Sequence, residues 1–281
     1  MILIIICIIL IILSLLYIYN NNENFNNNNE NFNNIILPYD IVVVGCARNI
    51  EQYLKTTKKK LKMINKLFKS CRIIIYDNDS TDNTLNILKE WENEKLIELI
   101  SEKNVPGLRT ERLAHGRNIL YNEAMKQEFE LYMVIDLDNV IDKLSYKSII
   151  NCFKEPMNDI DWAMVSGNQS GRYYDIWALR TYDDWMPFDC WICYNNEKKS
   201  KKYCVTSRYK KISYNSDPIK VKSSFGGCAI YNRKYLDNCS YGNGLQLFNN
   251  NNIEICEHVA FNECIIKNGG SIYINPKFIN S

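Results

Sequence analysis

From residue 37 onwards, short apolar runs alternate with longer mixed stretches that carry apolar residues at helical spacing. Runs rich in Val and Ile are typical of buried strands. The predicted strands are "YDIVVVGCA" (39–47), "CRIIIYD" (71–77), "KLIELI" (95–100), "LYMVIDLD" (131–138), "WAMVSG" (162–167), "CAIYN" (228–232) and "SIYIN" (271–275). The predicted helices follow the first strand to residue 68 and the second to residue 91, and cover residues 110–127 and 259–270.

This alternation predicts an α/β fold with a mixed, mostly parallel sheet, flanking helices and right-handed crossovers. Ligands of such sheets bind outside the carboxyl ends of the strands. Acidic residues lie at three of these ends: the segments 77–79 and 136–138, and the pair 257–258 before the last helix. We therefore expect a polar site at that edge of the sheet.

Asp136 and Asp138 are separated by one leucine at the end of an apolar run. Alternate side chains of a strand point the same way, so the two carboxylates would lie ~6.5 Å apart along it. Hard carboxylates suit Mg²⁺ or Mn²⁺, especially when phosphates complete the coordination shell. The alternative is a pair of strand-end acids that cap the following turn.

The amino terminus has a different pattern. Residues 1–19 contain no charged side chain and no small-residue cleavage site, and as a helix they would span ~28 Å. We predict a transmembrane signal anchor at residues 1–19, an Asn-rich flexible stalk at residues 20–36 and one domain at residues 37–281. The expected protein is a single-pass, type II-like membrane protein with its domain in an endomembrane lumen.

Composition adds little to this picture. The 281 residues are 46% hydrophobic and 23% charged, which is typical of globular proteins, and the net charge of +2 gives no reason to expect a nucleic-acid partner. Outside the anchor there are ten cysteines, an even number that is consistent with disulfides in a lumenal domain. Cys190 and Cys193 form a C-x-x-C pair without a second such pair, so zinc is the weaker alternative.

Several segments resemble known enzymes. "YDNDSTDNT" resembles the V-D-D-G-S-x-D-x-T segment of GT-A glycosyltransferases, and "LAHGRNILYNEA" followed by "YMVIDLD" resembles their A-R-N helix and D-x-D strand. "YYDIWALR", "FGGCAIYNRKYL" and "CEHVAFNECIIKNGGSIYINP" are similar to fungal capsule-type mannosyltransferases related to α-1,3-mannosyltransferase. The resemblance covers nearly the whole domain in order. It implies a GT-A (Rossmann-like) fold and metal-dependent transfer of a sugar from a nucleotide-sugar, with GDP-mannose as donor, to a glycan acceptor with retained configuration.

The resemblance also implies roles for the acidic residues. Asp77 and Asp79 would hold the base and ribose, although Asp79 stands where the family has glycine. Asp136 and Asp138 would bind the cation, with Asp136 also near the ribose. His258 would complete the metal shell of a retaining enzyme, and neutral imidazole favours Mn²⁺.

Basic residues and glycines complete the predicted donor site. Arg117, on the helix before the D-x-D segment, would pair with the diphosphate in a bidentate way. Arg48 follows the first strand and would contact the base or a phosphate. Gly226 and Gly227 would let the backbone approach the donor sugar closely. Each of these residues also has an ordinary structural interpretation, as a surface arginine or a tight turn.

The sugar and acceptor pocket is predicted from a second group of residues. Asp175, Trp177 and Arg180 would line it. Glu257 or His258 would be the base that deprotonates the acceptor if the enzyme were inverting, because inverting GT-A enzymes carry an acidic pair before the last helix. Two other functions remain open: a nucleotidyltransferase of similar α/β fold, and a non-catalytic glycan-binding or scaffold protein.

Overall fold

The computed structural model describes residues 35–281. The predicted anchor at residues 1–19 and residues 20–34 of the predicted stalk lie outside the described residues, so both remain predictions. Within the part of the chain that is described, no helix is both long enough and apolar enough to cross a bilayer.

One nine-stranded sheet forms the centre of the fold, and two further pairs of short strands lie beside it. The longer strands are runs of Val, Ile and other apolar residues, as β propensity favours. The thirteen strands of the described residues are β1 (Leu37–Ala47), β2 (Phe68–Asn78), β3 (Glu98–Glu102), β4 (Leu131–Ile135), β5 (Met164–Asn168), β6 (Arg172–Tyr173), β7 (Arg180–Thr181), β8 (Lys210–Lys211), β9 (Ile219–Ser223), β10 (Cys228–Asn232), β11 (Leu245–Phe248), β12 (Asn251–Glu254) and β13 (Ile272–Ile279).

The sheet is mixed. Its strand order is β3-β2-β1-β4-β10-β5-β13-β9-β7, with β6–β8 and β11–β12 as separate pairs. β10 is antiparallel to β4 and β5, and β9 is antiparallel to β13 and β7, whereas the other neighbours are parallel. Seven of the nine strands therefore run in one direction and only β9 and β10 oppose them, which confirms the predicted mixed, mostly parallel sheet.

Between residues 35 and 281, six α-helices lie among these strands: α1 (Glu51–Leu67), α2 (Thr84–Asn93), α3 (Arg109–Ala124), α4 (Tyr146–Ile150), α5 (Lys201–Cys204) and α6 (Glu257–Lys267). The first three join β1 to β2, β2 to β3 and β3 to β4, which are the helical crossovers that parallel strands require. The predicted helices correspond to α1, α2, α3 and α6, with ends that differ by a few residues.

The parallel strands are buried on both faces. Val42 and Ile74 belong to the core cluster that contains Leu120 of α3. Val43 and Ile73, which alternate with them, are also buried, and α1 packs against β2. Because successive side chains of a strand point to opposite faces, helices on both sides are needed to cover these apolar runs.

The strand order reverses between β1 and β4. From β1 the chain moves outward through β2 and β3, and it then returns to place β4 on the other side of β1. β4 ends at Ile135, earlier than predicted, because Asp138 caps a 3₁₀ turn at Asn139–Ile141 by accepting the N–H of Val140 at 3.1 Å. Asp136 and Asp138 therefore lie just beyond the strand, at a reversal where α/β sheets bind ligands.

The chain between β5 and β9 is irregular and held by cross-links. A π-helix (Ile192–Asn196) and α5 are joined by the disulfide Cys193–Cys204, and Cys190 remains a buried free thiol. A second disulfide joins Cys239 to Cys264 of α6. Because Cys193 is paired with Cys204, it is not free to bind zinc together with Cys190.

Candidate active site

A cavity of about 600 Å³ opens at the carboxyl ends of β1 and β4. This volume lies within the usual range for small-molecule sites. The side chains around it come from the ends of β1, β2 and β4, from α3, from the start of α6 and from the segment between β6 and α5. The charged and polar lining residues are Arg48, Asn78, Arg109, Thr110, Arg112, Arg117, Asp136, Asp138, Tyr174, Asp175, Glu257 and His258.

Arg117 of α3 is the centre of a buried ion network. Its Nε donates to Oε1 of Glu257 at 2.8 Å, its Nη2 donates to Oδ1 of Asp136 at 3.0 Å, and its side chain is only 4% exposed. Burial alone would lower the pKa of Arg117, but Glu257 and Asp136 raise it well above its ordinary value. Nη1 is buried and has no partner among the described residues, so Arg117 is a fixed cation with one free donor.

The two acids that follow β4 have different surroundings. Burial raises the pKa of Asp136 to about 7, and the Arg117 guanidinium opposes that shift. Its backbone N–H also donates to the carbonyl of Gly227 at 2.9 Å. Asp138 is half-buried and binds only the backbone of its own turn, through Val140. Asp136 is therefore held by two protein partners, whereas Asp138 lines the cavity and has fewer hydrogen-bond partners.

His258, the second residue of α6, lies buried against Phe225, with ring centroids 3.8 Å apart. Burial lowers its pKa well below the ordinary value, and the charge of Arg117 adds to that shift, so the imidazole is neutral. Nδ1 and Nε2 have no hydrogen-bond partner among the described residues, and Nε2 lies 3.6 Å from Oε1 of Glu257. A buried polar group is costly without a partner, so this ring is suited to bind a ligand.

Asp138 and His258 fit a divalent cation in part. A half-buried carboxylate and a neutral imidazole are both good ligands for Mn²⁺. Within residues 35–281, however, no cluster of three or more His, Cys, Asp or Glu side chains is arranged to hold a metal ion. A cation at this cavity would therefore take its remaining ligands from a bound phosphate and water.

Asp175 is joined to the ion network by the glycine pair. Its Oδ2 accepts the N–H of Gly226 at 2.7 Å, and burial raises its pKa. Gly226 and Gly227 have φ angles of +68° and +84°, and a Cβ on Gly226 would lie 2.6 Å from the carbonyl oxygen of Gly167. The pair is a tight turn that holds Asp136 and Asp175 in place, and neither glycine lines the cavity.

Most of the predicted site residues do meet at this cavity. Those among its lining are Arg48, Arg117, Asp136, Asp138, Asp175, Trp177, Glu257 and His258. Three predicted side chains, besides the glycine pair, lie elsewhere: Asp77, Asp79 and Arg180.

The partners of these three side chains explain their positions. Asp77 is buried and accepts the hydroxyl proton of Ser80, and Asp79 accepts the N–H groups of Asn104 at 2.5 Å and Val105 at 3.2 Å. Arg180 forms an ion pair with Asp189 and donates to backbone carbonyls of its own turn. These contacts hold the three side chains outside the cavity lining, and their predicted roles toward a ligand stay predictions.

Several lining residues were not singled out from the sequence. Asn78 lines the cavity where Asp77 had been expected, because adjacent residues of a strand point to opposite faces. Phe225 precedes the glycine pair and supports both His258 and Arg117, whose guanidinium lies 5.1 Å from its ring. Trp191 lies in the irregular segment, where no local pattern indicates which side chain faces the cavity.

Comparison with solved structures gives distant matches. S. aureus TarS 1-349 in complex with UDP-GlcNAc is 14% identical with a TM-score of 0.47, covering 84% of this chain and 55% of that one. Mannosyltransferase PcManGT from Pyrobaculum calidifontis with GDP-Man and Mn²⁺ is 15% identical with a TM-score of 0.36, covering 72% and 46%. Mycobacterium tuberculosis glucosyl-3-phosphoglycerate synthase with Mn²⁺, UDP and phosphoglyceric acid is 11% identical with a TM-score of 0.43, covering 84% and 68%.

The chain thus spans little more than half the length of the TarS fragment. A comparison with curated protein sequences gave no match. The sequence profile described as "Glycosyl transferase family 2" matches residues 41–239, which is most of the described domain and includes most of β1, all of β4, Arg117 and both acids after β4. The chain therefore belongs to glycosyl transferase family 2.

Proposed function

We propose that the domain is a glycosyltransferase that moves a sugar from a nucleotide-sugar to a glycan acceptor. Family membership supports the reaction class. The single observation that carries the proposal is the convergence of Arg117, Asp136, Asp138 and Asp175 in one cavity at the strand-order reversal. Binding of a nucleotide-sugar needs this combination of groups. Its diphosphate binds cations, and its hydroxyl groups donate hydrogen bonds to carboxylates.

The cavity suggests a division of roles. Arg48 and Asn78, at the ends of β1 and β2, line the cavity and would contact the nucleoside and its phosphates. Arg117 offers its free Nη1 to an anionic group while its other nitrogens hold Asp136 and Glu257. Asp138 and His258 would hold Mn²⁺ or Mg²⁺, and a bound cation would neutralise charge on the diphosphate leaving group.

We also propose retention of configuration, with mannose from GDP-mannose as the narrower substrate assignment. The mannose assignment rests on the resemblance of segments 173–180, 225–236 and 256–276 to the capsule-type enzymes. Retention is supported by His258, which stands where an inverting enzyme would place its aspartate base and has a lowered pKa, which makes it a weak base. The neighbouring Glu257 has its Oε1 bound by Arg117 at 2.8 Å, so it is also poorly placed to act as a base.

The experiment is a donor panel. The full-length protein in detergent is incubated with UDP-glucose, UDP-GlcNAc and GDP-mannose, each with Mn²⁺, Mg²⁺ or EDTA, and release of nucleoside diphosphate is measured. We expect release from one donor and its loss in EDTA. The anomeric configuration of the product by NMR tests retention separately.

Two results would contradict the proposal. The first is that no donor is consumed under any condition. The second is release of pyrophosphate from a nucleoside triphosphate and a sugar phosphate, which would identify a nucleotidyltransferase. An inverted product would leave the transferase class standing and overturn the assignment of retention.

A further inference from the structure

Two tryptophans of the irregular segment line the active-site cavity. The rings of Trp177 and Trp191 lie 4.7 Å apart at an interplanar angle of 55°, and Tyr194, which is 40% exposed, lies 6.3 Å from Trp177. Both tryptophans are partly buried against the core, and both also contribute surface to the cavity. An aromatic corner of this kind offers a flat apolar surface inside an otherwise charged site.

Trp191 carries an unmet hydrogen-bonding requirement. Its Nε1 is buried and has no acceptor among the described residues. By contrast, Nε1 of Trp185 donates to the carbonyl of Arg208 at 2.7 Å. A buried indole N–H usually has a partner, so Trp191 lacks a contact that a bound oxygen atom would supply.

The backbone around Trp191 is fixed before any ligand binds. Asp189 accepts the N–H groups of Trp191 at 2.8 Å and Ile192 at 3.2 Å through Oδ1, and its Oδ2 pairs with Arg180. The next turn is the π-helix, which the disulfide Cys193–Cys204 ties to α5. A segment whose backbone is held in this way loses less conformational entropy on binding, which is how preorganised sites gain affinity.

We propose that Trp177 and Trp191 form the binding subsite for the acceptor saccharide; this inference rests on the proposed function. A pyranose ring has an apolar C–H face that can lie on an indole, and hydroxyl groups around its rim. One hydroxyl oxygen accepts the free N–H of Trp191. Asp175, two residues before Trp177 and on the same cavity, accepts a hydrogen bond from another hydroxyl.

Other ligands match this corner less well. A purely apolar ligand such as an acyl chain would leave the N–H of Trp191 without a partner and give the carboxyl of Asp175 none beyond the protein backbone, at a desolvation cost. The phosphates of the donor have partners elsewhere, because Arg48 and Arg117 lie on the strand and helix side of the cavity. A neutral polyol with an apolar face satisfies both the rings and the hydrogen-bonding groups.

The test compares saccharide transfer with hydrolysis of the donor by water. The full-length protein and its Trp177→Ala and Trp191→Phe variants are assayed with methyl α-mannoside as acceptor probe. We expect the KM for the probe to rise about tenfold in Trp177→Ala and about three- to tenfold in Trp191→Phe, which keeps an aromatic ring but loses the N–H. The rate of donor hydrolysis should fall much less than kcat/KM for transfer. Tyr182→Ala, an exposed aromatic outside the cavity, is the control and should retain the wild-type KM.

A second acceptor separates the sugar ring from a lipid tail. With octyl α-mannoside, the ratio of variant to wild-type KM should match that for methyl α-mannoside. An effect seen only with the octyl compound would overturn the inference, because the rings would then bind the alkyl chain. Equal losses of transfer and donor hydrolysis would also overturn it, because the tryptophans would then serve the donor.

The saccharide subsite can be tested even if the protein is not a glycosyltransferase. If the wild-type protein consumes no donor, saturation-transfer NMR with methyl α-mannoside still tests the subsite. Saturation of the sugar ring protons that disappears in Trp177→Ala would support a saccharide site in a protein without transferase activity. Absence of saturation in the wild-type protein would overturn the inference.

Discussion

The two walls of the cavity are built in different ways. The sheet wall, made by the ends of β1, β2 and β4 with α3 and α6, positions its polar groups on regular elements and through the buried Arg117 network. The opposite wall is the aromatic segment (residues 174–208), which has few regular elements and is held by the ion pair Arg180–Asp189 and the disulfide Cys193–Cys204. One wall is thus fixed by the fold and the other by cross-links.

This difference predicts how substitutions behave. Arg117 and Glu257 of the sheet wall are buried within the core, so removing one of them affects stability and donor chemistry together. Asp138 of the same wall is half-buried, so its removal should affect donor chemistry with little loss of stability. Groups of the aromatic segment lie on an irregular chain outside the parallel strands, so their removal should affect acceptor recognition more than donor chemistry. The following predictions test that distinction, from the largest expected effect to the smallest.

Arg117→Ala should give the largest effect. It leaves the buried carboxylate of Glu257 and the partly exposed carboxylate of Asp136 without their counter-charge, and breaking a buried ion pair such as Arg117–Glu257 costs about 3–5 kcal/mol of unfolding free energy. Urea denaturation followed by circular dichroism measures the loss. Arg112→Ala is the matched control on the same helix, since Arg112 donates only to the carbonyl of Gly107. A loss below about 1 kcal/mol for Arg117→Ala would mean that the network does not hold the sheet wall.

Asp138→Ala should leave the fold intact and remove most activity. Its carboxylate binds only the adjacent turn, so stability should change little, whereas loss of a cation ligand should cost about 2–4 kcal/mol, or ~30- to 1000-fold in rate. The measurement is donor turnover as a function of Mn²⁺ concentration. Asp161→Ala, an exposed acid paired with Lys234, is the control. A Mn²⁺ titration identical to that of the wild type would remove Asp138 from the cation site.

The sheet wall was largely predictable from the sequence. The Val- and Ile-rich runs define β1, β2 and β4 because buried parallel strands need apolar residues on both faces. Asp136 and Asp138 stand out because carboxylates are rare at the end of such a run. What the sequence left open was the local facing of side chains, so Asp77 was chosen where Asn78 reaches the cavity.

The aromatic segment was predictable only in part. "YYDIWALR" drew attention to Asp175 and Trp177, which do line the cavity, and to Arg180, which does not. The position of Arg180 depends on Asp189, and that of Trp191 depends on Asp189 and on the disulfide. These are contacts between irregular backbone positions, and periodicity carries no information about them.

Removing the disulfide of the aromatic segment should change acceptor binding at that wall and leave the sheet wall unchanged. The double change Cys193→Ser and Cys204→Ser should lower the unfolding free energy by about 2–4 kcal/mol and raise the KM for methyl α-mannoside, because Trp191 lies two residues from Cys193. The matched control is Cys239→Ser with Cys264→Ser, which should lower stability without raising that KM. Equal KM changes in the two double variants would show a general loss of stability instead of a local loss of order.

Asp175 links the two walls, and its pH dependence should be the smallest effect. Burial raises the pKa of Asp175 in the folded protein, whereas an aspartate of the unfolded chain titrates at about pH 4. Between these two pKa values the native state holds a proton that the unfolded state has lost. In that window the contribution of Asp175 to stability falls as pH rises, by at most about 1.4 kcal/mol per pH unit.

Activity should change in the opposite direction, because only the ionised carboxylate can accept a hydrogen bond from a sugar hydroxyl with both oxygens. Asp175→Asn keeps an acceptor for the N–H of Gly226 but does not titrate, so it should flatten the stability slope and remove the acid limb of kcat/KM. Urea denaturation and kcat/KM, measured across the same pH series for wild type and variant, test both halves. If Asp175→Asn leaves the pH dependence of both the unfolding free energy and kcat/KM unchanged, titration of Asp175 controls neither quantity.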